Sequence, residues 1–150
     1  DGDQDIYSVM GGAMEGDTFA NALFENPAKS NDNAWVTLEL KGKKANRSAI
    51  GARIEITSLQ KNGQSRKISY TVGTGGSFGS GSLQAEIGLG KAKEILEINV
   101  RWPNAKQTIE THKNLSINKY YLIEEGEKPK ILDKKHIPFT KMSGMKKDFN

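Results

Sequence analysis

The chain has 150 residues, a formal net charge of +4, 16 glycines, 4 prolines and no cysteine, with a mean hydropathy of -0.62. That length fits one domain of ordinary size with tails, and the missing cysteine excludes disulfides, thiolate nucleophiles and cysteine-bound metals. No run reaches the roughly 18 consecutive apolar residues a membrane-spanning helix needs, and the glycine content favours many turns over long helices.

At the start, Asp1-Gly2-Asp3-Gln4-Asp5-Ile6-Tyr7 reads as the second half of an acidic loop of form D-x-D-x-D-G-x-x-D running into a strand. In that pattern Asp1 and Asp5 supply carboxylates and Asp3 a backbone carbonyl to Ca2+, an ion that takes about six to eight oxygen ligands. The first half of the loop is missing, so tight Ca2+ binding is not expected in this piece, and a frayed acidic terminus is the alternative. No secretory leader is visible, and Asp1 falls inside the motif, so the sequence reads as an excised piece of a longer chain. Leu23-Phe24-Glu25-Asn26-Pro27 reads as a closing strand and an extended joint, because a residue before proline avoids the helical region. Residues 1–27 are therefore expected to end a preceding unit, with a polar connector from Ala28 to Asn33.

From Trp35 the apolar period becomes two, the mark of a strand with one wet face. The strands expected in order are Val36–Leu40, Ile54–Ile56, Ile68–Val72, Leu83–Ile87, Leu96–Val100, a short one at Ile109, and Tyr121–Ile123. Turn signals stand between them at 43–46, 61–63, 73–81, 103–104 and Asn114. Lys91-Ala92-Lys93-Glu94 offers at most a single helical turn. This pattern predicts an all-β fold, an antiparallel β-sandwich of about seven to eight short strands, with irregular N- and C-terminal extensions. The residues expected to face inward are Val36, Leu38, Ile54, Ile56, Ile68, Tyr70, Leu96, Ile98 and Val100. The sandwich is expected over 28–126. Residues 127–150 lose the alternation and read as a linker or the lead-in to a following domain, either docked or detached. Their lysines read as a solvated tail. Only Phe139 and Phe149 interleave with them, too little aromatic surface to suggest nucleic-acid binding.

Few residues offer chemistry. Arg47 and Arg53 flank Ser48-Ala49-Ile50-Gly51-Ala52, and two guanidiniums beside a glycine can grip a carboxylate or phosphate. The structural alternative has Gly51 opening a turn, Ile50 anchoring it, and the arginines pairing with carboxylates or loop carbonyls. The segment Gly73–Ser82 is rich in glycine and serine, but a strand follows it and it contains no lysine, so it is not a phosphate loop. Its Phe78 is expected either to plug the core or to help the loop touch a glycan or peptide. Trp102 and Trp35 could stack on sugar rings or cover the ends of the core. His112 and His136 lack metal-ligand spacing, and no nucleophile elbow or recognisable carboxylate pair is present, so the chain is not expected to be an enzyme.

Three blocks in fixed order carry a further signal: Asn46-Arg47-Ser48-Ala49-Ile50-Gly51-Ala52-Arg53-Ile54, Ile87-Gly88-Leu89-Gly90 and Val100-Arg101-Trp102-Pro103. Together they resemble the ASPIC/UnbV domain, a module that follows FG-GAP/VCBS-type repeats in secreted proteins. The likeness runs from about Leu23 to Gly126. Family members often place a histidine and an aromatic before the glycine-leucine-glycine turn, where this chain has Glu86 and Ile87, so no role for that histidine carries over. The resemblance implies a non-catalytic accessory or interaction domain of a secreted or cell-surface protein. The implied partners are neighbouring repeat domains of the same parent chain, or a glycan or extracellular protein, with no nucleic acid and no membrane span. No cofactor is implied for this piece, and Ca2+ is implied only for the intact repeat region. The alternative is a carbohydrate-binding module using Trp102, Trp35 or Phe78. A buried Trp102 favours the packing role, and an exposed one beside a groove favours sugar binding.

Overall fold

The computed structural model describes residues 4–12, 19–26, 31–76 and 79–134. Within them β1 (Ile6–Ser8) and β2 (Ala22–Phe24) pair as a separate antiparallel hairpin. The remaining strands are β3 (Ala34–Lys41), β4 (Arg53–Gln60), β5 (Ser65–Thr71), β6 (Ala85–Gly90), β7 (Ala92–Arg101), β8 (Ile109–His112), β9 (Lys119–Glu124) and β10 (Lys130–Leu132). They form two four-stranded sheets, ordered β10-β9-β3-β6 and β5-β4-β7-β8. The architecture is all-β and sandwich-like, and neither sheet closes into a barrel.

Alternation places the core. Val36, Leu38 and Leu40 of β3, Ala85, Ile87 and Leu89 of β6, and Tyr121 and Ile123 of β9 are buried on one sheet. Ile54 and Ile56 of β4, and Ile95, Ile98 and Val100 of β7, are buried on the other, with Trp102, Val72 and Leu115 in the same cluster. Ile68 and Tyr70, on edge strand β5, pack against it half-buried.

One inward assignment fails. Leu96 is 39% exposed, and Ile95 is buried in its place. The β4–β7 register shifts between Thr57 and Ser58, so that Thr57 faces Glu97 but Ser58 faces Ile95. Such a bulge inserts one extra residue and reverses the phase of the alternation beyond it. Two local readings change as well. Residues 92–94, read as a possible helical turn, open β7, and Gly88-Leu89-Gly90, read as a turn, lies within β6. The turn itself is confined to Gly90, at a φ of 64°, and Lys91.

The sheets are not wholly antiparallel, because β3 and β9 pair in parallel. Asn118 sets up that pairing. Its backbone N–H donates to the Trp35 carbonyl at 2.7 Å, and its side-chain oxygen accepts from the Trp35 N–H at 3.0 Å. Asn118 sits at a φ of 57°, a left-handed conformation that asparagine tolerates better than most residues. β10, within the stretch read as a linker, adds to β9 antiparallel and extends this sheet.

Candidate functional site

The block from Asn46 to Arg53 carries the chain from one sheet to the other. The Asn46 side chain brackets Ile50, accepting from its N–H and donating to its carbonyl, both at 2.9 Å. Ala49 takes a φ of 52°, and its N–H donates to the Asn46 carbonyl at 2.8 Å. Ala49 and Ala52 are fully buried, whereas Ile50 is 44% exposed. The anchors expected at Ile50 are therefore the two alanines, small enough to let the turn sit between the sheets. Gly51, at a φ of 92°, donates to the Val72 carbonyl at 2.8 Å and continues the ladder beyond β4 and β5.

A carboxylate holds the preceding loop. Glu125 is only 5% exposed, and one of its oxygens accepts the backbone N–H groups of Lys43, Lys44 and Ala45 at 2.8, 2.6 and 2.8 Å. Its other oxygen accepts from the Asn104 side chain at 2.7 Å. Burial acts to raise the Glu125 pKa. The hydrogen bonds from Ala45, Asn104, Lys43 and Lys44 outweigh it and bring the pKa down to about 2. The loop folds this tightly because residue 42 is glycine. A Cβ there would lie 2.3 Å from the Asn46 carbonyl oxygen. Three successive amides converge on an anion, and the anion is the protein's own.

The two sequence-selected arginines do not come together. Arg47 is exposed and lines a shallow groove with Glu39, Leu122, Lys134 and the serines of 80–82. Arg53 sits on the solvent face of β4, directly opposite Arg101 of β7. Arg53 and Arg101 share two adjoining depressions, one floored by Glu55, Ser69, Thr71 and Asn99, the other bounded by Gly51, Trp102, Pro103, Asn104 and Gln107. Cross-strand register, invisible to sequence spacing, brings Arg101 to Arg53.

Trp102 is fully buried, so its ring is not available as a platform for sugars, and its indole Nε1 has no hydrogen-bond partner among the described residues. Trp35 is half-buried and meets Tyr120 edge to face, ring centroids 4.9 Å apart, with the Lys134 ammonium 5.2 Å from the Tyr120 ring. Phe78 lies outside the described residues, as do Asp1, Asp3 and His136. Asp5, the remaining member of the acidic loop, accepts the Asn26 N–H at 2.8 Å and so fastens the start of β1 to the end of β2. Among the described residues no cluster of three or more metal-ligating side chains forms. No helix among them is long and apolar enough to cross a membrane.

Edge strand β8 is inverted. Glu110 and His112 point toward the interior while Ile109 is 53% exposed. Burial lowers the His112 pKa, partly opposed by the Glu110 carboxylate 3.8 Å away. Inward-pointing charge on an edge strand discourages pairing with another chain.

The β1–β2 hairpin contrasts with all of this. Ile6, Tyr7, Val9, Met10, Phe19, Leu23 and Phe24 are each between 44% and 72% exposed. A hydrogen bond from Gln4 to Glu86 at 2.6 Å ties its start to the sandwich.

A family model described as ASPIC and UnbV matches residues 42–130. No curated protein and no solved structure matches the chain.

Proposed function

Since the chain belongs to the ASPIC and UnbV family, we propose that it is a non-catalytic accessory domain whose function is to be contacted. Its first partner is a neighbouring repeat domain of the same parent chain, in a secreted or cell-surface protein, with Ca2+ bound by the intact repeats rather than by this piece. The carrying observation is the apolar surface of the β1–β2 hairpin, exposed beside a sandwich that already has a complete core. Contiguous exposed apolar residues mark contact surfaces, and a two-stranded hairpin has little stability alone. Hydrogen exchange tests the reading. Amides of Ile6–Ser8 and Ala22–Phe24 should exchange rapidly in the 150-residue chain and become protected in the parent protein. Equal, rapid exchange in both would end it.

A carbohydrate-binding reading keeps one support, the half-buried Trp35–Tyr120 pair, with Gly88 opposite Trp35 leaving that face open. A glycan-array screen of the parent protein beside this chain tests it, with Trp35→Ala as the discriminating variant.

A further inference from the structure

Arg53 and Arg101 stand side by side on the outer face of the β5-β4-β7-β8 sheet, in the row Thr71–Arg53–Arg101–Ile109. Like charges directly opposite one another destabilise a sheet. Neither guanidinium makes an ion pair or side-chain hydrogen bond with a described residue. The acid in the next row, Glu55, is already paired with Lys67 at 3.2 Å. Asn99, in the same row as Glu55, is occupied by Thr111, whose hydroxyl donates to it at 2.6 Å. Both arginines are exposed and line both depressions, and each guanidinium carries five donors. On the far side the second depression is bounded by Gly51, Pro103 and the tight turn from Asn104 to Gln107, where the Gln107 N–H donates to the Asn104 carbonyl at 2.9 Å. Trp102, lining the same depression, carries a buried indole N–H without a partner among the described residues.

We propose that Arg53 and Arg101 form a two-arginine clamp for an oxyanion, the sulfate, phosphate or carboxylate group of a ligand. The anion would remove the repulsion between the two cations and accept paired hydrogen bonds from both. This site is on a different surface from the β1–β2 hairpin and does not depend on the domain-docking reading. It also differs from the sequence-level pairing of Arg53 with Arg47, whose side chain lines another groove.

The test titrates the 150-residue chain with sodium sulfate against sodium chloride at matched ionic strength, following arginine Nε–Hε resonances. Arg53 and Arg101 should shift with sulfate and saturate, while Arg47 should not. Arg53→Gln and Arg101→Gln should each weaken sulfate binding by about tenfold or more, the loss of one charge-assisted contact, and Arg47→Gln by less than about twofold. Without sulfate, neither clamp variant should melt below the parent. Sulfate stabilises proteins generally by exclusion from their surface, so the double variant is the control, and sulfate should raise the parent's Tm by more than the double variant's. A heparin hexasaccharide in the same titration distinguishes a ligand-borne group, bound more tightly than free sulfate, from a free oxyanion. Equal sulfate stabilisation of parent and double variant, or a lowered Tm in both single variants with unchanged sulfate response, would overturn the clamp and leave the arginines structural.

Discussion

Ile98 and Ile6 are the same residue on the same kind of element, yet Ile98 is fully buried and Ile6 is 66% exposed. Ile98 sits on β7, between β4 and β8 in its sheet, with a second sheet over its inner face. Ile6 sits on a three-residue strand paired only with β2 among the described strands, and no second sheet of the described residues layers over it. Strand propensity makes both segments extended, and only layering makes one of them stable. A β-strand buries a side chain only when another packed element covers its face, and among the described residues no strand layers over the hairpin.

The comparison can be broken most directly at those two positions. Ile98→Ala should cost about 2–5 kcal/mol in urea unfolding, because it opens a cavity in a close-packed layer. Ile6→Ala should change the unfolding free energy by no more than about 0.5 kcal/mol. A comparable loss at Ile6 would mean that the hairpin is part of the cooperative unit.

Next in size is Glu125, which fastens the loop joining the sheets. Glu125→Gln should cost about 2 kcal/mol at pH 7, since a neutral amide replaces a carboxylate that accepts three backbone amides and a side-chain amide. The sign of the pH effect follows from the lowered pKa. A carboxyl whose pKa falls from 4.5 unfolded to about 2 folded gives stability that is fully present above pH 4.5 and is lost as the pH drops toward 2. Urea midpoints measured from pH 7 to pH 2 should therefore fall more steeply below pH 4.5 for the parent than for Glu125→Gln. His112, whose pKa is depressed chiefly by burial, adds a loss that begins as the pH falls below its ordinary 6.5. His112→Gln should flatten that earlier part of the curve.

Gly42→Ala should cost about 1–3 kcal/mol by forcing the loop away from the Asn46 and Ala45 carbonyls. Gly12→Ala, in the hairpin region, has open space around it but a φ of 94°, and should leave the melting of the sandwich unchanged while loosening only its own segment. Scanning calorimetry of the two variants separates the regions.

The strands of the sandwich were legible because Ile54, Ile56, Ile98 and Val100 each alternate with polar neighbours and burial follows that rhythm, whereas in β3 Thr37 is buried along with Val36 and Leu38. Leu96 was misread because a bulge leaves no mark in composition and only cross-strand register reveals it. Glu125 was missed for a different reason. Glu124 and Glu125 are adjacent and chemically identical, yet Glu124 lies near Lys41 and Lys130 at the surface while Glu125 turns inward onto amides some 80 residues away in sequence. Arg101 appeared in a motif but gained significance only when β4 and β7 set it opposite Arg53. The family resemblance marked blocks that prove mainly architectural, with Ala49 and Ala52 filling space and Trp102 sealed within the core.

The parallel contact between β3 and β9 has a consequence in time. β3 is the first strand of the sandwich in the chain, and its two neighbours, β6 and β9, are made far later. The β4–β5 pair, by contrast, closes locally through the turn at Gly63. Contacts of long sequence separation form slowly, because the intervening chain must lose its freedom before any pairing rewards it. A chain emerging from the ribosome should therefore hold β3 with one edge unpaired until β6 is made and the other unpaired until β9 is made. Pulse-labelled hydrogen exchange should find its amides protected last, after those of β4 and β5.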